Sequence, residues 1–195
     1  MAELYYIRHC EPNYDNHVDA LRELTPKGQA DTGLVTAYLR DKGIDMVLSS
    51  PFKRAVDTVG PFAKGAGLAV ATMDGLRERR GDSGWIEDFE GFTRRQWADF
   101  SYKLSDGESL GEVQERMAAC LDGILEKYGG RRIAVGSHGT ALSVLVHSLR
   151  PSFGYEDFAR IRRQMPWGVH FSFAGRTCLR VEEVNLFTGV VKEIC

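Results

Sequence analysis

The sequence predicts an α/β protein, a three-layer α/β/α sandwich built on a mostly parallel sheet with an added antiparallel edge. Three observations lead there. Short apolar runs bounded by turn residues alternate with longer amphipathic stretches, the pattern of successive βαβ units. The stretches between the runs carry recognisable helix starts and stops. After Pro166 the periodicity changes to two residues, the spacing of an antiparallel hairpin.

The first strand is expected at Glu3 to Ile7. A helix over Pro26 to Lys42 follows, with Thr25 as its N-cap, Pro26 at the first helical position and Gly43 as its stop. The strand Asp45 to Ser49 leads into a second proline-led helix, Pro51 to Lys64, and Ala69 to Thr72 is the third strand. Gly75 to Asp106, which contains "RERRGDSGWIEDFEGFTRRQW", reads as an excursion able to cap a site, with one short helix near Thr93 to Tyr102. Leu110 to Tyr128 is the strongest helix. Ser109 and Glu112 form a capping box, and Leu110, Val113, Met117, Leu121, Ile124 and Tyr128 recur every three or four positions. The fourth strand, Arg132 to Gly136, precedes a helix over Thr140 to Leu149 that ends before Pro151. "WGVHFSFAG" and "CLRVEEVNLF" form the hairpin, and the apolar end "VNLFTGVVKEIC" suits an edge strand or a homodimer interface.

With 195 residues, 43% hydrophobic and 27% charged, the chain fits a single α/β domain over residues 1–195. A formal net charge of -2 without a basic stripe argues against a nucleic-acid partner. No run reaches the roughly 18 apolar residues of a membrane helix, so no membrane partner is expected either. Cys10, Cys120, Cys178 and Cys195 are scattered, which fits reduced thiols and neither a structural zinc site nor a C-x-x-C motif. "MAELYYIRHC" opens in a strand and lacks the segments of a secretory signal, so the cytoplasm is the expected location.

Ligands of open α/β sheets bind at the carboxyl ends of the parallel strands. The first strand delivers Arg8 and His9 there, and "SSPFKR" delivers Arg54 one turn into its helix. "LRERRG" delivers Glu78, and "GSHG" delivers His138 and Gly139 at the start of a helix. Two arginines, two histidines and a carboxylate suit phosphoryl transfer, where catalysis is mainly positioning and stabilisation of spread negative charge. Arg8, Arg54 and His138 would cradle the phosphoryl group, because guanidinium donors match phosphate geometry. Free amides after His138, with Gly139 allowing close approach, would add to that cradle. A neutral His9 is a competent nucleophile, and Glu78 could protonate the leaving alkoxide and then take a proton from water. That role depends on where the neighbouring Arg77, Arg79 and Arg80 point. No metal or other cofactor is expected, since these side chains already supply positive charge.

These residues carry a resemblance. Arg8-His9-Cys10-Glu11, "LTPKGQAD" (Leu24 to Asp31), the S-S-P-x-x-R-A-x-x-T of Ser49 to Thr58, Leu76-Arg77-Glu78, Gly107-Glu108-Ser109 and Ser137-His138-Gly139 occur in one order. That ordered set resembles the histidine phosphatase superfamily, in its phosphoglycerate-mutase-like branch. The resemblance implies a phosphohistidine intermediate on His9, phosphate binding by Arg8, Arg54 and His138, and Glu78 as proton donor. Cys10 stands where the family pattern has glycine. If the position requires φ above zero, the cysteine is strained; otherwise its side chain is simply accommodated.

The expected reaction is hydrolysis of a small phosphorylated metabolite, since "EPNYDN" replaces the serine and tryptophan that follow R-H-G-E in phosphoglycerate mutases. A mutase, and a weakly catalytic phosphate-binding or regulatory protein, are the alternatives. Glu11 and Asp82 rival Glu78 as the acid, and the "GDSG" of Gly81 to Gly84 is a coincidental likeness to serine proteases. His17, His147 and His170 read as structural or surface residues. Trp85, Phe89, Phe92 and Trp97 either wall the substrate pocket or form the small core of the excursion.

Overall fold

Leu4 to Ile7 can be apolar without a break because alternate residues of this strand face two different helical layers. The computed structural model describes every residue except Ser83 and Trp85. Its parallel strands are β1 (Ala2–Arg8), β2 (Met46–Ser49), β3 (Val70–Thr72) and β4 (Arg132–Ser137). The antiparallel strands β5 (Trp167–Ala174), β6 (Thr177–Val184) and β7 (Val191–Glu193) extend the same sheet, in the order β3-β2-β4-β1-β5-β6-β7. Strand β1 lies between β4, its parallel partner, and β5, its antiparallel one. The apolar C-terminal segment supplies β7, an edge strand.

Helices α1 (Pro26–Leu39) and α2 (Lys53–Gly65) cover one face, where Val35, Leu39, Val59 and Phe62 pack with Tyr5 and Ile7. On the other face lie α3 (Phe89–Ala98), α4 (Leu110–Tyr128), α5 (Gly139–Leu149) and α6 (Tyr155–Ile161). There Leu4 and Tyr6 pack with Met117, Ile124, Leu142 and Leu145. Leu4, Tyr6 and Ile7 are 0% exposed. Each such side chain contributes roughly 1.5–3 kcal/mol on burial, which makes β1 a rigid mount for whatever follows it.

Several boundaries shift by one to four residues, and one helix is added; three of these differences have a local reason. Helix α2 begins at Lys53 because the Phe52 amide first donates to the Ser50 hydroxyl (3.2 Å), turning the chain out of β2 before the helix forms. Helix α3 spans Phe89–Ala98 instead of 93–102. Its N-cap is Asp88, whose carboxylate accepts from the Gly91 amide (2.8 Å). A Cβ at Gly91 would lie 2.1 Å from that carboxylate, so the glycine is what admits the cap. The seven-residue α6 was not anticipated; its first turn is held by the Gly154 amide donating to Asp157 (3.1 Å).

Candidate active site

The register of β1 against β4 pairs Arg8 with Ser137, and the His9 amide donates to the Ser137 carbonyl (3.1 Å). This sets His9 beside His138, with ring centroids 5.4 Å apart. A cleft of ≈ 1400 Å³ opens over this end of the sheet, and Arg8, His9, Arg54, Glu78, Gly139 and Thr140 are in its wall. His138 lies behind that wall, fully buried between His9 and Phe52. All the predicted residues therefore converge, with His138 in the layer beneath the others.

His9 is 5% exposed, and its Nδ1 lies 2.7 Å from the Cys10 carbonyl. A carbonyl only accepts, so Nδ1 carries the proton and Nε2 keeps its lone pair. Burial, then the charges of Arg54 and Arg8, hold His9 well below the ordinary histidine range. Burial and the same two arginines, together with His9, do this to His138, whose Nε2 is hydrogen-bonded to the Ser50 hydroxyl (2.7 Å). His138 Nδ1 is buried with no hydrogen-bond partner.

The two arginines are anchored differently. Arg8 Nη1 donates to the carbonyls of Ile161 (2.9 Å) and Gln164 (3.2 Å), and among the described residues it pairs with no carboxylate and its buried Nε has no partner. Arg54 donates to the Asp19 carbonyl (2.6 Å) and pairs with the Asp19 carboxylate (3.0 Å). Asp19 carries no sequence signal, because its contact with Arg54 spans 35 residues.

Glu78 corrects one expectation. The amides of Thr140 (3.1 Å) and Ala141 (3.0 Å), at the start of α5, donate to its carboxylate, as does the Arg79 amide (2.8 Å). The amides of Thr140 and Ala141 are thus occupied by Glu78, because a carboxylate is itself the anion that a helix N-terminus favours. Gly139 also has a different reason to be glycine: a Cβ there would lie 2.9 Å from Arg8 Nε and 3.0 Å from its Cζ. Among the arginines near Glu78, Arg77 turns to Glu108, and Arg79 donates to Gln96 with its guanidinium over the Phe92 ring. Arg80 is exposed.

Of the rival acids, Glu11 accepts from the Thr25 hydroxyl (2.8 Å) and is not in the cleft wall, whereas Asp82 is. His17 also reaches the rim of the cleft. His170 is held between Glu3 (2.6 Å) and Glu182 (2.9 Å), and His147 bonds the Phe153 carbonyl. Phe89 walls the cleft, while Phe92 is buried and Trp97 packs on Phe100, Phe153 and Phe158. Trp85 and the serine of "GDSG" lie outside the described residues. Among the described residues, no three or more His, Cys, Asp and Glu side chains are grouped to hold a metal ion, and no helix is long and apolar enough to cross a membrane.

The family model of the histidine phosphatase superfamily (branch 1) matches residues 4–170. The chain belongs to this superfamily. It is similar to the probable phosphoglycerate mutase GpmB of Salmonella arizonae, 31% identical over 163 residues covering 76% of this chain and 75% of that protein. The protein of the same name from Yersinia enterocolitica is 29% identical over 161 residues, with the same shares. Among solved structures, a phosphoserine phosphatase mutant from Entamoeba histolytica shares the fold at a TM-score of 0.75 and 19% identity, over 92% of this chain and 94% of that one. A mycobacterial glucosyl-3-phosphoglycerate phosphatase does so at 0.70 and 18%, over 87% and 92%.

The motifs of this superfamily member hold one another in place. The Thr25 N-cap hydroxyl accepts from the Gly28 amide (3.0 Å) and donates to Glu11, while a Cβ at Gly28 would stand 2.2 Å from the Glu11 carbonyl. Thr58, last residue of the S-S-P motif, donates to the Arg54 carbonyl (2.7 Å) and accepts from the Cys10 amide (2.9 Å). Cys10 itself is unstrained, since no described residue other than glycine has positive φ. Its side chain packs with Leu24 and Val35, and burial pushes the thiol up to about 12.

The two buried histidines predict a particular acid sensitivity. Above their ordinary value of 6.5 they are largely neutral in both folded and unfolded protein, and stability is full. Below it the unfolded chain binds protons that the folded protein refuses, so stability falls as pH falls, by about 1 kcal/mol for each histidine between pH 6.5 and 5.5. Urea melts from pH 6.5 to 5.5 are expected to show this slope, and His138→Asn to remove one histidine's share. An unchanged slope in that variant would contradict the assignment.

Proposed function

We propose that this histidine phosphatase hydrolyses a small phosphomonoester, without a metal, through a phosphohistidine on His9. The observation that carries the reading is the tautomer of His9, which leaves Nε2 unprotonated in a cleft walled by Arg8 and Arg54. In the first step Nε2 attacks phosphorus, the bond to the alcohol oxygen breaks, and a protonated Glu78 gives its proton to the departing alkoxide. In the second, water attacks the phosphohistidine, Glu78 takes a proton from it, phosphate leaves, and Nε2 regains its lone pair. Arg8 and Arg54, in the cleft wall, hold the phosphoryl oxygens, Gly139 leaves room for Arg8, and His138 backs His9 from the layer beneath. The three amide bonds that Glu78 accepts hold its carboxylate at the cleft wall, where the leaving oxygen and the attacking water would meet it.

Hydrolysis is favoured over mutase chemistry by "EPNYDN", which stands where phosphoglycerate mutases carry a serine and a tryptophan after R-H-G-E. The mutase reading is supported by the name of the GpmB relatives. A merely phosphate-binding role loses its sequence support, which was strain at Cys10. A small phosphorylated metabolite is the partner proposed, and a cytoplasmic setting suits four cysteines that form no disulfide among the described residues. The test is a panel of phosphometabolites and an aryl phosphate, without added metal, on wild type and His9→Ala. Phosphate release by the wild type alone is expected. Conversion of 3-phosphoglycerate to 2-phosphoglycerate faster than phosphate release would establish the mutase instead, and equal, negligible release by both proteins would end the enzyme reading.

A further inference from the structure

The acid segment needs something to hold it, because Glu78 sits between arginines that could draw its carboxylate out of the cleft. Glu108, half-buried just before α4, takes two arginines of this region, Arg77 and Arg116. Its Oε1 accepts from Arg77 Nη1 and Nη2 (3.1 Å each) and from Arg116 Nε (3.1 Å). Its Oε2 accepts from Arg116 Nη2 (3.2 Å) and from the Arg80 amide (2.9 Å). The Glu108 amide donates back to the Arg80 carbonyl (2.7 Å). Arg116 Nη1 completes the clamp by donating to the carbonyls of Gly75 and Arg77 (2.9 Å each). The chain is thereby gripped on both sides of Glu78. The neighbouring Gly107 permits this approach, since a Cβ there would stand 2.2 Å from the Gly81 carbonyl.

We propose that Glu108, with Arg116, is a positioning residue for proton transfer by Glu78, a role that rests on Glu78 being the general acid. The clamp fixes the backbone from which Glu78 projects. It also neutralises two guanidinium groups that would otherwise compete with the α5 amides for the Glu78 carboxylate. Glu108 is in the cleft wall, but its contacts are with Arg77, Arg116 and the Arg80 backbone, through which it acts on Glu78. Its effect is confined to the step in which a proton reaches the leaving oxygen, and the size of that effect depends on the leaving group.

The test compares kcat/KM, which reports events up to phosphorylation of His9, for n-propyl phosphate and for 2,4-dinitrophenyl phosphate. The first releases a basic alkoxide that needs a proton, and the second a stable phenolate that does not. Glu78→Gln is expected to lose roughly 10²-fold or more on the alkyl substrate and little on the aryl one. Glu108→Gln is expected to show the same selectivity at about a tenth or more of that loss, on the order of 10-fold. Arg77→Met, at a partly exposed position, loosens the same clamp and is expected to follow in the same direction, and thermal melts show whether each variant is folded. Equal losses on both substrates in Glu108→Gln, or no loss while Glu78→Gln is selective, would overturn the positioning role alone. Absence of selectivity in Glu78→Gln would overturn the acid assignment and the clamp's role with it.

Discussion

His9→Ala is expected to lower kcat/KM on any phosphomonoester by roughly 10⁴-fold or more, the scale seen when a covalent nucleophile is deleted from a preorganised site. The reason is geometric as well as chemical. The Nδ1–H bond to the Cys10 carbonyl points the other nitrogen's lone pair, and burial with two adjacent arginines keeps the ring neutral. No other imidazole has both properties: His138 is fully buried beneath His9, and its Nε2 is engaged with Ser50. Rapid acid-free quenching of wild type with labelled substrate should trap a phosphoenzyme that is stable to base and labile to acid, as a phosphoramidate is. A variant without His9 that still forms such a species, or that retains more than about a tenth of the activity, would move the nucleophile elsewhere.

Arg8→Met is expected to cost about 10²- to 10³-fold in kcat/KM, more than Arg54→Met. The order follows from what neutralises each charge. The Asp19 carboxylate lies 3.0 Å from Arg54, so part of that charge is already spent, whereas the contacts of Arg8 among the described residues are to carbonyl oxygens, with Glu78 acting at longer range, and it stays protonated although burial pulls its pKa down. A buried guanidinium with no carboxylate in hydrogen-bond contact among the described residues is costly in the empty protein and strongly attractive to a phosphate that arrives. Inorganic phosphate should accordingly raise the Tm of the wild type, and Arg8→Met should abolish that rise. Thermal melts at several phosphate concentrations check it. A rise that survives in Arg8→Met but disappears in Arg54→Met would reverse the assignment of the principal phosphate ligand.

The sequence by itself determined the α/β class, the four parallel strands and the residues mounted at their ends, because those signals are local. Apolar runs, proline-led helix starts and the Ser109–Glu112 capping box are all read within a few positions, and their structural counterparts follow closely. Arg8, His9, Arg54, Glu78 and Gly139 were legible for the same reason: each sits next to the end of an element whose position was already clear. Tertiary structure alone decided where the charges go. The α5 amides meet Glu78 across 62 residues, Arg77 meets Glu108 across 31, and Arg54 meets Asp19 across 35. Contacts of that span leave no periodicity or cap in the chain, so the sequence could show a crowd of arginines around an acid but not which of them are spent. The backbone angle at Cys10 was likewise undecided until β1 and Thr58 set it in place. Chain-local geometry is encoded where it forms, whereas electrostatic pairing depends on which distant groups folding brings within hydrogen-bond reach.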